Sequence, residues 1–279
     1  MRGGLGLAGL LLAASISAQA ATLHVPGQYS QIQFAVNAAQ VGDTVLVAPG
    51  TYTYLHQPPG ADSCAVAMKS GITLLGSGQG QTIIDPVRLS RAIYCSGVTN
   101  ARIGRLTVKR AFAQIYGAGI YCKGGSSPAI FACGVTDCGD GGIICNLGSS
   151  PTIDHCTITN NEAKEGGGVA CEASSSPVVT YCTIRGNSAP SGGGVFAKSG
   201  SAPRFEHCVI EQNSLSTLNG SGGGVGVVNA SATVRFCRIA DNSATGTGGG
   251  IAMIDAVVTI ENSDIEGNST SGDYGPGGG

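Results

Sequence analysis

A unit of about 26 residues returns again and again through the second half of this chain, carrying the same residues in the same order. Cys156, Cys182, Cys208, Cys237 and then Ser263 open it. Ile158, Ile184, Ile210, Ile239 and Ile265 follow two residues later, and Asn161, Asn187, Asn213, Asn242 and Asn268 three after that. Glycine triplets come next, at 166–168, 192–194, 222–224, 248–250 and 277–279. A period of this length means a solenoid, because one unit cannot bury its apolar face alone and must stack on its neighbours. Most of the recurring residues are therefore expected to be structural.

The stretch from Gly194 to Asn213 shows how one unit folds. Val195 and Ala197 point inward from a first strand. Phe205 points in while Arg204 and Glu206 point out, and Cys208 and Ile210 point in while Val209 and Glu211 point out. Strict alternation marks strands with one buried face. Three short strands per turn, separated by corners, let equivalent strands of successive turns pair in parallel. Ile130, Ile153, Val179, Phe205, Val234 and Ile260 then form one file through the core, and Val135 with Ile158 to Ile265 another. Each buried valine or isoleucine stabilises by about 1.5–3 kcal/mol. Ile103 to Val108 line up with Ile153 to Ile158, so the repeat has begun by residue 103. The asparagines are expected at tight corners, where they tolerate φ > 0 and their amides bond to each other and to the bend. The glycines are read as structural too. No Lys-Ser/Thr pair follows them in a strand–loop–helix context, which excludes a phosphate loop.

Met1-Arg2, the apolar stretch Gly3 to Ala14 and Ala18-Gln19-Ala20 have the form of a secretory signal, cleaved near Ala20. The stretch is short and glycine-rich for a membrane span, so the mature chain is expected to be exported, secreted or on the cell envelope. Residues 21–50 read as a cap. His24-Val25 is a short strand, Ser30 with Gln33 a capping box, and Ile32, Ala35, Val36 and Ala39 one helical face. Thr44 to Val47 form a buried strand. Residues 51–70 are expected to be a long loop, and the stack fills the rest of 51–279. The sequence stops at Gly277-Gly278-Gly279, where another turn should begin, so a truncated C-terminus is expected.

Eleven cysteines in an exported chain suggest disulfides, but the spacing favours stacked, reduced thiols over bridges. Cys95, Cys122, Cys145 and Cys171 form a second file, continued by Ala197, Val227 and Met253, which marks a compact apolar position. File neighbours lie about 4.8 Å apart with parallel side chains, wider than the roughly 3.8 Å that separates the Cβ atoms of a disulfide. With 11% charged residues and a net charge of −2, the chain has no electrostatic footprint for nucleic acid or an anionic membrane.

These columns resemble the right-handed parallel β-helix proteins of the pectate-lyase-like class, of the exported bacterial type. The segment His24-Val25-Pro26 through Gly42-Asp43-Thr44-Val45-Leu46-Val47-Ala48-Pro49-Gly50-Thr51-Tyr52 looks like the opening of such proteins and of pectin methylesterases. The Ile-x-x-Asn and Gly-Gly-Gly-Val/Ile pattern is similar to repeats in chlamydial polymorphic outer-membrane proteins. The resemblance implies an all-β, right-handed parallel β-helix solenoid of about eight turns with a short N-terminal capping helix. The fold carries lyases, hydrolases, esterases and adhesins. The Gly-Gln-Asp-Thr and Asp-Phe-Ile-Phe-Gly segments of pectin methylesterases do not occur here. Nor do the Asn-Thr-Asp, paired aspartate, Gly-His-Gly and Arg-Ile-Lys segments of polygalacturonases, so no catalytic residue carries over.

Candidate sites are few. Arg102, Arg105, Lys109 and Arg110 fall in one early turn after Arg88 and Arg91, with Asp137 and Asp140 one turn later. A lyase acting on uronates needs a cation near the carboxylate and a base for the C5 proton, and Lys or Arg beside Asp fits. The same residues suit contact with a polyanion. Arg110 and Asp137 are also file neighbours, as in an ordinary ion pair. Outward Glu206, Glu211, Glu261, Asp264 and Glu266 alternate with Arg235 and Arg238, which reads as ion-pair ladders. His155 and His207 lie two turns apart, roughly 9.6 Å, with Tyr181 between them and Phe236 after, so a ring stack is favoured over a metal site. No metal and no cofactor are expected. Aromatic residues make up 5% with no tryptophan, which weakens a sugar platform; Tyr52, Tyr54 and Tyr116 are the loop candidates. The sequence thus points to a surface binding or structural module with a polysaccharide or cell-surface ligand as partner. The rival class is a polysaccharide lyase or glycoside hydrolase acting on uronate polymers.

Overall fold

The computed structural model describes residues 19–56, 63–113, 117–217 and 220–271. Residues 1–18 of the proposed signal, Tyr116 and the final glycines lie outside them. Among the described residues the strands form four parallel sheets of ten, nine, eight and four strands, here called sheets A, B, C and D. One coil runs Val195–Lys198 in sheet C, Arg204–Glu206 in A, Val209–Glu211 in B and Ser214–Leu215 in D. The alternation dictates this path, since each strand shows one apolar face to the interior and corners must separate the faces.

Equivalent residues sit directly over one another. Ile158 faces Ile184, Ile184 faces Ile210, and Ile210 faces Ile239. Ile153, Val179, Phe205 and Val234 form the second file, and Cys95, Cys122, Cys145 and Cys171 the third. All of these side chains are buried. The coils number about nine rather than eight. The stretch expected to be a loop, 51–70, contains most of Gly50–Tyr52 and all of Cys64–Ala67, strands that pair with Thr82–Ile84 and Arg91–Ser96.

The cap helix, Ile32–Ala38, buries Ile32, Ala35 and Val36. Its expected capping box is absent. The N-cap residue is Gln31, which makes no side-chain cap bond, and Gln33 turns inward instead. The Gln33 Oε1 accepts from the Ala67 backbone N–H at 2.6 Å, and its Nε2 donates to the Ala67 carbonyl at 3.2 Å. The side chain thereby satisfies backbone groups at the open edge of sheet C, where an unpaired strand invites aggregation. Lys69 closes the other helix end, donating to the Asn37 and Ala39 carbonyls at 3.1 and 2.7 Å.

The corners correct a second expectation. The left-handed residues are those just before the ladder asparagines: Asn160 (φ 55°), Gly186 (64°), Gln212 (55°), Asp241 (53°) and Gly267 (61°). The asparagines themselves fill the inside of the bend. Asn187 accepts from the Asn161 backbone N–H and side-chain amide at 3.0 Å each, and donates to the Ile158 carbonyl at 3.0 Å. Asn213, Asn242 and Asn268 repeat the pattern. A ladder of serines that sequence reasoning missed does similar work between sheets C and A. Ser126, Ser149, Ser175 and Ser201 each accept from the backbone N–H one coil earlier, at 3.0–3.2 Å. The recurring Ser-Ser-Pro and Ser-Ala-Pro segments were its signal.

All eleven cysteines are unbridged and buried. Burial pushes Cys64 and Cys138 up to about 12, so they are thiols at neutral pH. The two files use sulfur differently. In the corner file, Cys182 accepts from the Cys156 N–H at 3.3 Å and donates to the Thr180 carbonyl at 3.1 Å. Ser263 holds the same place with its hydroxyl, at 3.1 Å from the Cys237 N–H and 2.9 Å from the Glu261 carbonyl. Cys182→Ser is therefore expected to shift stability by less than about 1 kcal/mol. Cys145→Ser, placed among Cys122, Cys171 and the apolar core, is expected to cost about 2 kcal/mol. Parallel thermal melts check the contrast; equal losses would refute the division of roles.

Candidate functional site

The structure scatters the charged residues that the sequence grouped. Arg102 belongs to a strand of sheet A and points outward from it, with its guanidinium over the Phe131 ring, 4.9 Å from the centroid. Arg105 sits at the next corner and donates to the Ser77 carbonyl at 3.0 Å. Lys109 and Arg110 converge on Asp85, not on Asp137. The Arg110 Nε lies 3.1 and 3.0 Å from the two Asp85 oxygens, its Nη2 bonds one of them, and Lys109 Nζ stands at 3.8 Å. Asp85 has no exposed side-chain surface, so it needs these cations. The bonds to Asp85 hold the Arg110 guanidinium above its ordinary value, and Asp137 adds only a lesser effect. Asp140 belongs to another loop and accepts from the Gly117 N–H at 2.5 Å. Its burial raises the carboxyl above the usual range.

Opposite charges do alternate on the outer faces. Arg235 lies 2.8 Å from Glu261, while Arg238 reaches Glu211 and Glu266 at 2.9 Å each rather than its file neighbour Asp264. His155, Tyr181, His207 and Phe236 stack with ring centroids 4.9, 4.8 and 5.0 Å apart. All four are left-handed corner residues, with φ of 50–52°. Tyr181 and His207 are covered on both faces by neighbouring rings, so the inside of the stack offers no free ring face on which a sugar could lie. Of the tyrosines, Tyr52 is half-buried, its hydroxyl donating to the Ala48 carbonyl at 3.0 Å, and Tyr54 is exposed.

A more coherent site lies along the outside of sheet C. The position after each inward residue Cys122, Cys145, Cys171 and Ala197 points out, and in four consecutive coils it carries Lys123, Asn146, Glu172 and Lys198. Coil spacing of about 4.8 Å sets these groups along the solenoid axis. They line an open groove of about 460 Å³ with Tyr121 and Leu147 beside them. Asn146 Nδ2 donates to Glu172 Oε2 at 3.3 Å, and Lys198 Nζ lies 3.6 Å from Glu172 Oε1 while also bonding Glu165. Lys123 Nζ stands 5.3 Å from the centroid of the Tyr94 ring. Burial raises the Glu172 carboxyl above its usual range, with Lys198 opposing. Sequence reasoning passed over these residues because their types differ. Only their shared offset from the second cysteine file marks them.

Residues 70–230, more than half of the chain, match the family described as right handed beta helix region. The chain belongs to that family. A comparison with curated proteins finds no match. Among solved structures, this right-handed β-helix protein is similar to the pectin methylesterase from carrot, 12% identical with a TM-score of 0.56, over 93% of this chain and 86% of that one. It is also similar to the pectate lyase Pel9A, 16% identical with a TM-score of 0.53, over 94% of this chain and 82% of that one. At these identities the likeness is one of fold. Among the described residues of the β-helix, no helix is long and apolar enough to cross a membrane.

Proposed function

We propose that this β-helix is an exported or envelope-attached module that binds a linear acidic polysaccharide along the sheet C groove. The axial file of Lys123, Asn146, Glu172 and Lys198 carries the reading. A regular polymer laid along a regular solenoid meets an amide, a carboxylate and two ammonium groups at repeating intervals, which suits hydroxyls and carboxylates recurring along a sugar chain. The fold likeness to a pectin methylesterase and a pectate lyase supports a polysaccharide partner. Arg102, Arg105, Lys109 and Arg110, with Asp137 and Asp140, stand in this proposal as a second polyanion contact on neighbouring faces. It is the weaker one, because two of those cations are already engaged by the buried Asp85 carboxylate.

Binding is favoured over catalysis by the state of the carboxylates. Glu172 is committed to Asn146 and Lys198, whereas general-base chemistry needs a carboxylate or amine open to the substrate proton. Pectate and alginate are expected to retard the protein in affinity electrophoresis, with retention weakening as salt rises, and Lys123→Ala to release it several-fold more easily. No unsaturated product should absorb in the ultraviolet. A sustained lyase signal would transfer the reading to an enzyme of uronate polymers.

A further inference from the structure

We infer that Glu165 holds the place of a ligand carboxylate at Lys198 and so governs how strongly the groove takes acidic sugars; the inference rests on the binding reading above. Lys198 is served by two carboxylates of different standing. Glu172 comes from the floor of the groove, directly before Lys198 in the stack of coils, with only 11% of its side chain exposed and a bond from Asn146 fixing it. Glu165 comes from the loop that leads into Val169–Cys171, the strand of sheet C that runs up to Glu172, and lies just ahead of left-handed Gly166. Its side chain is 37% exposed, and its carboxylate bonds Lys198 directly.

One ammonium therefore faces two carboxylates, and the charge of Glu165 pushes the Glu172 carboxyl further up. The floor carboxylate is enclosed and cannot leave without stranding the half-buried Lys198 ammonium and the buried Asn146 amide. The loop carboxylate can swing into water at little cost, since an exposed ion pair is weak. A uronate carboxylate entering the groove would take the Lys198 contact that Glu165 vacates, exchanging one carboxylate for another. A neutral sugar offers no such exchange and leaves Glu165 in place. Glu165 is thus a specificity-determining residue that competes with acidic ligands and is indifferent to neutral ones.

The test compares the full chain with Glu165→Gln and Lys198→Gln, titrating each by calorimetry with a galacturonate oligomer and a neutral xylan oligomer. Glu165→Gln should bind the galacturonate oligomer roughly tenfold tighter and the xylan oligomer unchanged, while Lys198→Gln loses the acidic preference. If the wild type binds the galacturonate oligomer and Glu165→Gln binds it equally or less well, the inference falls and the binding reading stands. If no variant binds either oligomer, the binding reading falls. A second readout is independent of sugars: acylation of Lys198 by an anionic succinimidyl ester, mapped by mass spectrometry, should run several-fold faster in Glu165→Gln. Equal rates would mean that Glu165 does not guard Lys198.

Discussion

Asn213→Ala is expected to lower stability by about 4 kcal/mol, one of the largest losses available to a single polar truncation in this chain. Asn213 sits at the middle of the ladder with no exposed surface. It accepts from the Asn187 backbone N–H and side-chain amide, each at 3.0 Å, and donates to the Ile184 carbonyl at 3.0 Å and to Asn242 Oδ1 at 2.9 Å. Alanine removes all four bonds and leaves their partners inside the bend, where no water replaces them. A circular-dichroism melt should show the midpoint falling by about 10 °C for a chain of this size. Asn213→Asp should do comparable harm, because a carboxylate cannot donate to the Ile184 carbonyl and brings a charge into the corner. Asn268→Ala is the internal control. It occupies the same place in the last described coil but is half-buried, so water can satisfy what it abandons and less than half the loss is expected. Equal melts for Asn213→Ala and wild type would show that strand pairing alone holds the corner.

The ladder also shows which parts of the fold a sequence can carry. Ile184 over Ile210, and the ring stack from His155 to Phe236, were legible because the period places like residues at like offsets and stacking needs nothing more. The left-handed corner was assigned one residue too late. Asparagine tolerates that conformation, yet here its amide is needed inside the bend, and Gln212 or Asp241 takes the strained backbone instead. The capping box failed for a tertiary reason: the Gln33 side chain is drawn to the open edge at Ala67, a contact between residues far apart in the sequence. Arg110 was matched to Asp137 by counting one period forward. In the early coils the spacing is irregular, and buried Asp85, one coil back, has the stronger claim on a cation. The groove escaped notice because Lys123, Asn146, Glu172 and Lys198 share a position but change in type from coil to coil. Periodicity exposes what repeats, whereas a binding site is built where the repeat is varied.

The glycine triplets set the other large expectation, that Gly194→Ala destabilises by about 3 kcal/mol. Gly194 opens the strand of sheet C just past the ladder. A Cβ there would lie 2.7 Å from the Gly224 carbonyl oxygen and 2.8 Å from Asn213 Nδ2. Neither neighbour can retreat. The Gly224 carbonyl belongs to the next coil, whose own triplet is held by backbone bonds, among them Gly194 N–H to the Gly223 carbonyl at 3.0 Å. Asn213 is the ladder residue whose four bonds were counted above. One methyl group therefore has to force two coils apart or break the ladder, and in a solenoid the strain is felt mainly by adjacent coils. Gly134→Ala is the matched comparison. Its Cβ would point outward, where the nearest atom is Thr107 Oγ1 at 3.1 Å, and later coils carry Thr157, Thr183 and Val209 at that position. A change within about 0.5 kcal/mol is expected there. Hydrogen exchange would locate the damage: Gly194→Ala should lose protection in the coils around residues 187–225 and keep it near the cap. Uniform loss along the whole chain would mean that the coils unfold as one unit, and the nearest-neighbour account of this stack would have to be abandoned.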